Sequence, residues 1–311
     1  MRHINELREG ENVREIYLCK QTQSLQTKTG KTYYSLLLQD KTGTLDGKVW
    51  DITSAIEHHE PGEYIMVDGR IVMFQDKPQL NISRIRRARE GEYDPADYMP
   101  SSDRNIDEMY SELMALGAQI KTPYLQKLFR SFFVDDAEFI KAFKYHSAAK
   151  AVHHGFIGGL LEHTLSVTNL CDGFSKQYEL LNRDLLLTAA ICHDIGKTRE
   201  LSAFPENDYT DEGNLLGHIV IGIEMVDDKL RDIPEFPKLA ATELKHCIAA
   251  HHGKFEYGSP KLPAICEAMA LHFADNLDAK MESMKELLKG VDEKADWLGF
   301  QRNFESNVRR T

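Results

Sequence analysis

An adjacent histidine and aspartate, His193 and Asp194, follow an apolar run over residues 185–191, and Lys197 comes three residues later. An imidazole and a carboxylate can both bind a divalent cation. At the end of an apolar helix they are expected to have a charged partner, because an unpaired buried carboxylate is costly. The alternative for this dipeptide alone is a helix end with a capping aspartate and a solvated histidine. The other histidines must decide between the two.

Nine of the thirteen histidines fall between residues 146 and 252. The metal-competent residues follow the order histidine, His-Asp pair, histidine, His-His pair, aspartate: His163, His193, Asp194, His218, His251, His252 and Asp275. Imidazoles and carboxylates without cysteine suit Mn, Fe, Co, Ni or Zn and argue against a structural zinc site. Seven ligands are too many for one ion and suit two ions about 3.5–4 Å apart, bridged by Asp194. We therefore predict two divalent metal ions, with manganese as the first choice and Co, Fe, Ni or Zn as alternatives.

Each ligand has a structural alternative when it is taken alone. His218, after a glycine, is compatible with a surface or satisfied core histidine, and His251 with His252 is compatible with a helix C-terminus. Asp275 is harder to explain in this way, because a carboxylate inside an apolar helix needs a partner. The set as a whole favours the metal site.

The elements that must position these residues are helical. Apolar residues recur at helical spacing from residue 105 onward, and no internal repeat is visible. The pattern predicts helices over residues 106–118, 124–133, 136–145, 159–177, 184–192, 216–230, 239–250 and 263–288. The segment 297–310 either packs back on this all-α domain or mediates contacts in a homo-oligomer.

Residues 1–92 have a different pattern. Strand-like stretches cover residues 13–18, 31–40, 44–50, 64–74 and 79–85. Residues 52–60 predict a short helix after the third strand, the layout of an OB-fold barrel. Residues 93–104 have the composition of a linker. We therefore predict a two-domain α+β protein, with an N-terminal five-stranded OB-like β-barrel (1–92) and a C-terminal all-α domain (105–311).

Charge and composition limit the possible partners. The formal net charge of −11 argues against a broad basic surface for duplex nucleic acid. Residues 1–92 are neutral, so a local groove for a single strand remains possible there. Aromatic residues of the barrel are candidates for base stacking unless they belong to its core: Tyr17, Tyr33, Tyr34, Trp50 and Phe74. Basic candidates for phosphate contacts are Arg70, Lys77, Arg84 and Arg86.

The cysteine pattern is typical of a reducing compartment. Five cysteines are scattered without a CxxC motif. No apolar run of about 18 residues and no signal-peptide core is present. We therefore expect a cytoplasmic protein without a membrane segment.

The order of the ligands resembles the HD-domain metal-dependent phosphohydrolase superfamily in its two-metal form, over about residues 145–290. This resemblance implies one metal held by His163, His193, Asp194 and Asp275. It implies a second metal held by Asp194, His218, His251 and His252. It also implies that Lys197 faces a substrate phosphate, the alternative being a solvated lysine at a helix end.

A barrel placed before such a domain resembles the YhaM-type family of 3′–5′ exoribonucleases. The stretches that carry this resemblance are LLLQDKTGTLDGKVWD and SAAKAVHHGFIGGLLEHTLSV. It implies hydrolysis of single-stranded RNA, with single-stranded DNA as a further substrate, to nucleoside 5′-monophosphates, and catalysis by Asp194 and Lys197. Lys150, His153 and His154 either line the substrate channel or form an ordinary polar loop.

The sequence is also compatible with two other functions. One is a phosphohydrolase of small nucleotides or cyclic dinucleotides that the barrel regulates. The other is a nucleic-acid-binding adaptor in which metal has only a structural role. The complete ligand set with Lys197 disfavours the adaptor, and the barrel favours the exonuclease.

Overall fold

The computed structural model describes residues 1–27, 29–75, 77–94, 97–150, 154–204, 206–289 and 296–311. The chain divides into two compact units, Met1–Ser101 and Ser102–Thr311, a division that lies inside the linker-like segment 93–104. Each unit has its own cluster of buried apolar residues.

The first unit is a closed five-stranded barrel. Its strands are β1 (Asn12–Gln26), β2 (Thr32–Asp40), β3 (Gly43–Val49), β4 (Tyr64–Phe74) and β5 (Lys77–Arg87). They follow the order β1-β2-β3-β5-β4, and β4 pairs with β1 to close the barrel. The pairing of β3 with β5 is parallel, and the other pairings are antiparallel. This is the five-stranded Greek-key arrangement of an OB-fold, so the predicted barrel is confirmed.

Buried and partly covered residues alternate along the strands, and the buried ones form the core of the barrel. In β3, Leu45, Gly47 and Val49 are buried, whereas the residues between them are only partly covered. Gly69 lies where the register of β4 against β5 shifts. A Cβ atom there would lie 2.4 Å from the carbonyl oxygen of Asn81, so the strands can approach this closely only at a glycine.

The predicted helix over residues 52–60 is wrong. This segment forms turns, and Ile56 makes a parallel bridge with Ile85 of β5. The amide of Glu57 donates to the carbonyl of Ile85 at 3.0 Å, and the amide of Ile85 donates to the carbonyl of Ala55 at 3.0 Å. Pairing with the barrel thus satisfies backbone groups that a helix would have paired internally.

The second unit is a helical bundle. In the part of the chain that the structure describes, its helices are α1 (Ile106–Gly117), α2 (Pro123–Phe133), α3 (Ala137–Tyr145), α4 (Gly159–Gln177), α5 (Arg183–Cys192), α6 (Lys197–Glu200), α7 (Asp211–Leu230), α8 (Lys238–Ala250) and α9 (Cys266–Lys289). All eight predicted helices are present, and the short α6 is an addition. None of the described helices is long and apolar enough to cross a membrane.

Helix α5 lies in the core of this unit. Every residue from Leu185 to Cys192 is buried, and the helix packs against α4, α8 and α9. A helix that is apolar on all sides belongs inside a protein. The residues that follow its end therefore start from the middle of the bundle, where water is excluded.

A two-stranded antiparallel hairpin follows the last helix, and the helical pattern did not predict it. Its strands are β6 (Trp297–Gln301) and β7 (Ser306–Arg309). The ammonium group of Lys280 in α9 donates to the carbonyl of Asn303 at 3.1 Å and lies 5.9 Å from the ring centroid of Phe304. The segment therefore packs back on α9.

Candidate metal centre

His193 and Asp194 follow α5 directly and are 0% and 1% exposed. The Nδ1 atom of His193 lies 2.7 Å from the carbonyl oxygen of Ala190. Because a carbonyl oxygen only accepts hydrogen bonds, Nδ1 carries the proton and Nε2 presents its lone pair. That Nε2 atom lies 3.3 Å from Asp194 Oδ2.

Backbone carbonyls orient two further histidines in the same way. His251 and His252 follow α8, and their Nδ1 atoms lie 2.7 Å from the carbonyl oxygens of Ile248 and Tyr257. In both rings Nε2 is left as the ligand atom. The sequence places both histidines at a helix end, but the hydrogen bond to the carbonyl of Tyr257, five residues further on, fixes the orientation of His252.

Carboxylates orient the remaining two histidines. His163 Nδ1 lies 2.7 Å from Asp278 Oδ2, and His218 Nδ1 lies 2.8 Å from Glu200 Oε1. Metal-binding histidines regularly donate their second N–H to a carboxylate or carbonyl, which fixes the ring. All five histidines of the predicted set thus have Nδ1 occupied and Nε2 available.

The two oxygens of Asp194 face different groups of rings. Oδ2 lies 3.5 Å from His163 Nε2, beside His193. Oδ1 lies 3.6 Å from both His218 Nε2 and His251 Nε2. Potential ligand atoms form one cluster from His163, His193 and Asp275 and another from His218, His251 and His252, each within 4.8 Å. Asp194 lies between the clusters, as a bridging carboxylate would.

The residues present fit divalent cations. Asp194 Oδ1 and His218 Nε2 are buried and have no hydrogen-bond partner among the described residues. Buried polar atoms normally have partners, so such orphans call for an unlocated ion or water. The Nε2 atoms of His163 and His193 are also only 3.2 Å apart, a separation that requires a proton or a cation between them. The donor set of imidazole and carboxylate, without thiolate, suits Mn, Fe, Co, Ni or Zn.

Charge pairing keeps Asp194 and Lys197 ionised. Burial alone would raise the pKa of Asp194, but Lys197 and the surrounding imidazoles hold it well below its usual range. Burial would likewise lower the pKa of Lys197, but Asp194 raises it. The Lys197 ammonium lies 2.7 Å from Asp194 Oδ2, and its side chain is 15% exposed. A cation is therefore held permanently at the centre.

His163 and His251, one from each cluster, differ in their pKa. Burial opposes a charge on His163, but Asp275 and Asp278 outweigh it and raise the pKa of this histidine to about 10. Burial and the neighbouring His252 lower the pKa of His251 well below its usual value. His251 is thus neutral and ready to bind a cation, whereas His163 must first release a proton.

Comparison with known proteins agrees with this geometry. The protein-family profile described as HD domain matches residues 160–280, which include His163, His193, Asp194 and Asp275. The chain is 35% identical over 286 residues to the 3′–5′ exoribonuclease YhaM of Bacillus subtilis (strain 168), an alignment that covers 91% of this chain and 89% of the relative. The chain belongs to the YhaM family of HD-domain proteins. The resemblance inferred from the sequence is therefore confirmed.

The barrel of this YhaM-family protein has a weaker structural likeness. It resembles the solution structure of the second OB-fold domain of replication protein A from Methanococcus maripaludis, with 18% identity and a TM-score of 0.24. The likeness covers 30% of this chain and 98% of that domain. The assignment as an OB-fold rests on the strand order.

Sequence reasoning missed Asp278 and Glu200, the carboxylates that orient His163 and His218. Asp278 also accepts hydrogen bonds from Ser166 Oγ and from His154, whose Nε2 lies 3.0 Å away. The sequence did contain a sign that Asp278 belongs to the site, because this residue comes three positions after Asp275 and so lies on the same face of α9. Glu200 likewise comes three residues after Lys197.

Gly217 sets the position of His218. It interrupts α7 with φ 74° and ψ 156°, a region of backbone conformation that is essentially restricted to glycine. The break turns the amide of His218 toward Glu200 Oε1, which it reaches at 2.9 Å. One carboxylate oxygen therefore holds both the backbone and the ring of His218.

A cavity of about 360 Å³ opens against the centre, within the usual size range of small-ligand sites. Its walls include His154, His163, Lys197, His252 and Asp275.

Lys150 and His154, two of the residues proposed to line a substrate channel, lie in different surroundings. His154 is 3% exposed and lies in the cavity wall. Lys150 instead pairs with Asp208 and lies 5.8 Å from the ring centroid of Tyr209. His153 lies outside the described residues.

The barrel candidates fall into different positions. Tyr17 is fully buried, so its prediction as a stacking platform is wrong, and Tyr34 packs against the barrel core. Tyr33 and Trp50 stack on each other with ring centroids 4.8 Å apart, and Trp50 is 40% exposed. Phe74 is 58% exposed at the end of β4. Tyr33 and Trp50 thus form an accessible aromatic pair.

The basic candidates differ in their freedom to bind phosphate. Arg86 is held by Glu92, at 2.7 and 3.1 Å. Arg70 Nε donates to the carbonyl of Gly10 at 3.1 Å. Arg84 and Lys77 are exposed. The engaged guanidinium of Arg86 is the least available of the four.

Proposed function

We propose that this YhaM-family protein is a 3′–5′ exoribonuclease. It hydrolyses the terminal phosphodiester of single-stranded RNA, and of single-stranded DNA as a further substrate, and releases nucleoside 5′-monophosphates. The observation that carries the proposal is the position of Asp194, whose two oxygens face two sets of imidazole nitrogens beside Lys197. The 35% identity with the exoribonuclease YhaM supports the substrate class.

In this proposal the centre holds two divalent cations, with manganese preferred. His163, His193 and Asp275 would hold one, His218, His251 and His252 would hold the other, and Asp194 would contribute to both. Bound divalent cations lower the pKa of water and stabilise charge on phosphoryl oxygens.

The chain itself contributes position and charge. Lys197 lies in the cavity wall and stays protonated, so its ammonium can offset negative charge on a bound phosphate. Asp278 and Glu200 hold two of the rings before substrate arrives, so little reorganisation is needed. Burial of the centre strengthens each of these charge interactions.

We assign the binding of the single-stranded nucleic acid to the barrel. The exposed Tyr33–Trp50 pair offers a surface on which a base can stack without sequence preference. Trp50 Nε1 donates to Asn81 Oδ1 at 3.0 Å, which fixes the indole on the barrel surface.

We also propose a cytoplasmic location. The free cysteines support it, since four of them are buried as thiols.

The test of activity uses the metal-stripped protein reloaded with Mn²⁺ and a 5′-labelled single-stranded oligoribonucleotide. We expect a ladder that shortens from the 3′ end and stops when EDTA is added. Hydrolysis of mononucleotides or cyclic dinucleotides, with the oligonucleotide left intact, would instead establish the small-nucleotide phosphohydrolase.

Substitution of the bridge tests the site. Asp194→Ala should lose both metal ions and at least about a thousandfold of the hydrolysis rate, because the carboxylate shared by both clusters is gone. Metal content by mass spectrometry and oligonucleotide cleavage are the measurements. The control is Asp227→Ala, which removes a surface carboxylate paired with Lys245 and should change neither. An Asp194→Ala protein with full metal content and activity contradicts the assignment.

A further inference from the structure

One wall of the cavity is an aromatic ring that the metal centre does not use. Tyr257 borders the cavity together with Lys197, His252 and Asp275, and 53% of its surface is exposed. A half-exposed ring beside a cavity has apolar area that a ligand can cover. The pattern of histidines and aspartates in the sequence gives no reason to single out this residue.

The turn that carries Tyr257 is held in place by backbone hydrogen bonds. Phe255–Tyr257 is a short 3₁₀ turn in which the amide of Gly258 donates to the carbonyl of Phe255 at 3.0 Å. The amide of Ser259 donates to the carbonyl of Lys254 at 3.2 Å. The carbonyl of Tyr257 accepts the Nδ1–H of His252 at 2.7 Å. The backbone of Tyr257 is thereby tied to a proposed metal ligand, which sets the distance of the ring from the centre.

A positive charge accompanies this ring. Lys254 Nζ lies 5.3 Å from the ring centroid of Tyr257, within the range of a cation–π contact. The ring that borders the cavity therefore has a cation beside it. This pairing of a ring with a positive charge is what sites for single-stranded nucleic acid use.

We infer that Tyr257 stacks on the base of the 3′-terminal nucleotide, the one that leaves. This inference rests on the proposed function. A phosphate held beside Lys197 places the attached nucleoside in the same cavity, and a volume of about 360 Å³ lies at the lower end for ligand sites, which suits one nucleotide. Tyr257 therefore selects a residue that carries a base over a bare sugar phosphate.

Stacking is the interaction that this reaction needs. Every base has a π face, so a ring can hold each new terminal nucleotide whatever its identity. Hydrogen bonds to base edges would instead favour one base and slow the removal of the others. An exonuclease that removes residues in succession meets a different base at each step, so stacking lets it bind every terminal nucleotide.

The test compares two 5′-labelled oligoribonucleotides that differ only at the 3′-terminal residue, which is either adenosine or an abasic ribose. Removal of that residue by the full-length, Mn²⁺-loaded protein is measured in single turnover. We expect the wild type to remove adenosine faster by about 5- to 150-fold, the range that base stacking supports. In Tyr257→Ala this ratio should fall to near one, and in Tyr257→Phe it should persist because the ring remains.

The matched control is Phe255→Ala. Phe255 belongs to the same turn and is 63% exposed, but it is not among the residues that border the cavity. This variant should keep the wild-type ratio. Metal content should be equal in all variants, because the hydrogen bond from His252 to Tyr257 is accepted by the backbone carbonyl, which the substitutions retain.

The outcomes separate this inference from the proposed function. A wild-type ratio near one, or an unchanged ratio in Tyr257→Ala, overturns the stacking role while the removal of both residues leaves the exonuclease standing. If the wild type removes neither residue, both proposals fall.

Discussion

At the scale of the residue, the surroundings of Asp194 decide what this side chain does. Its burial would favour the neutral form and raise its pKa, yet Lys197, His193 and His218 lower that pKa and keep it ionised. Its two oxygens then face different clusters instead of sharing one partner. In the proposed two-metal centre, this carboxylate is the one that would contribute an oxygen to each cation.

Lys197 is the residue whose charge can be tested separately from metal binding. Lys197→Met should lower kcat by about 100- to 1,000-fold, the usual cost of losing one group that stabilises transition-state charge, while the metal ions remain. Lys197→Arg should retain part of the activity because the charge persists. Steady-state kinetics on an oligoribonucleotide, with metal content measured in parallel, gives the answer.

A surface lysine provides the comparison for this variant. Lys176 pairs with Asp172 and its side chain is 70% exposed, so Lys176→Met should leave kcat unchanged. A Lys197→Met protein with wild-type kcat would contradict the catalytic role. So would a loss of activity that follows entirely from a loss of metal.

The residues of the candidate metal centre could be predicted from the sequence, whereas the carboxylates that orient His163 and His218 were not. The order and type of the seven residues is a local property of the chain and is enough to suggest a two-metal site. Asp278, however, supports His163 from 115 residues away, and only the packing of α9 against α4 makes that contact visible.

At the scale of the element, the break in α7 is a condition for the site. Gly217 adopts a conformation that costs other residues about 1–3 kcal/mol. A Cβ atom at this position would meet nothing closer than Glu200 Oε1 at 3.9 Å. Substitution therefore tests backbone strain without a clash.

Gly217→Ala should destabilise the protein by about 1–3 kcal/mol and weaken binding of the metal ion that we assign to His218. Gly173→Ala is the matched control, because Gly173 is helical and exposed and its Cβ would meet nothing within 4 Å. Alanine there should stabilise the helix by about 0.5–1 kcal/mol. Chemical denaturation and metal titration are the measurements, and wild-type stability in Gly217→Ala would show that the break is not required.

The helices were predicted more reliably than the segment after the third strand. Helical periodicity within one element depends on neighbours three and four residues apart, so the chain itself displays it. Residues 52–60 have instead a structure that depends on pairing with Ile85, which no local pattern can indicate.

At the scale of the whole molecule, charge is divided between the two parts of the sequence. Residues 1–92 are neutral and the remainder carries the whole net charge of −11. An acidic helical unit repels a polyanion except at its cations, so a separate neutral unit with exposed aromatic residues is a reasonable place to hold the strand.

Trp50→Ala tests this division of roles. It should weaken binding of a single-stranded oligoribonucleotide by about 1–3 kcal/mol, the usual value of one base stacked on an aromatic ring. Fluorescence anisotropy with the full chain in EDTA, which prevents hydrolysis, measures the affinity. Tyr178→Ala removes a ring that is 54% exposed in the helical unit and should leave binding unchanged. Equal affinities for wild type and Trp50→Ala would show that the Tyr33–Trp50 pair is only structural.

Composition and periodicity are properties of the linear chain, so they were enough to predict the barrel and the helical domain, while the order of the metal-competent residues and two motif stretches carried the resemblance to the family. The packing of the helices was needed to show which oxygen of Asp194 faces which ring, which carboxylates orient His163 and His218, and that Tyr257 borders the cavity. These are relations between residues far apart in sequence. They exist only once the buried helix α5 has brought His193 and Asp194 to the centre of the bundle and the other helices have packed around it.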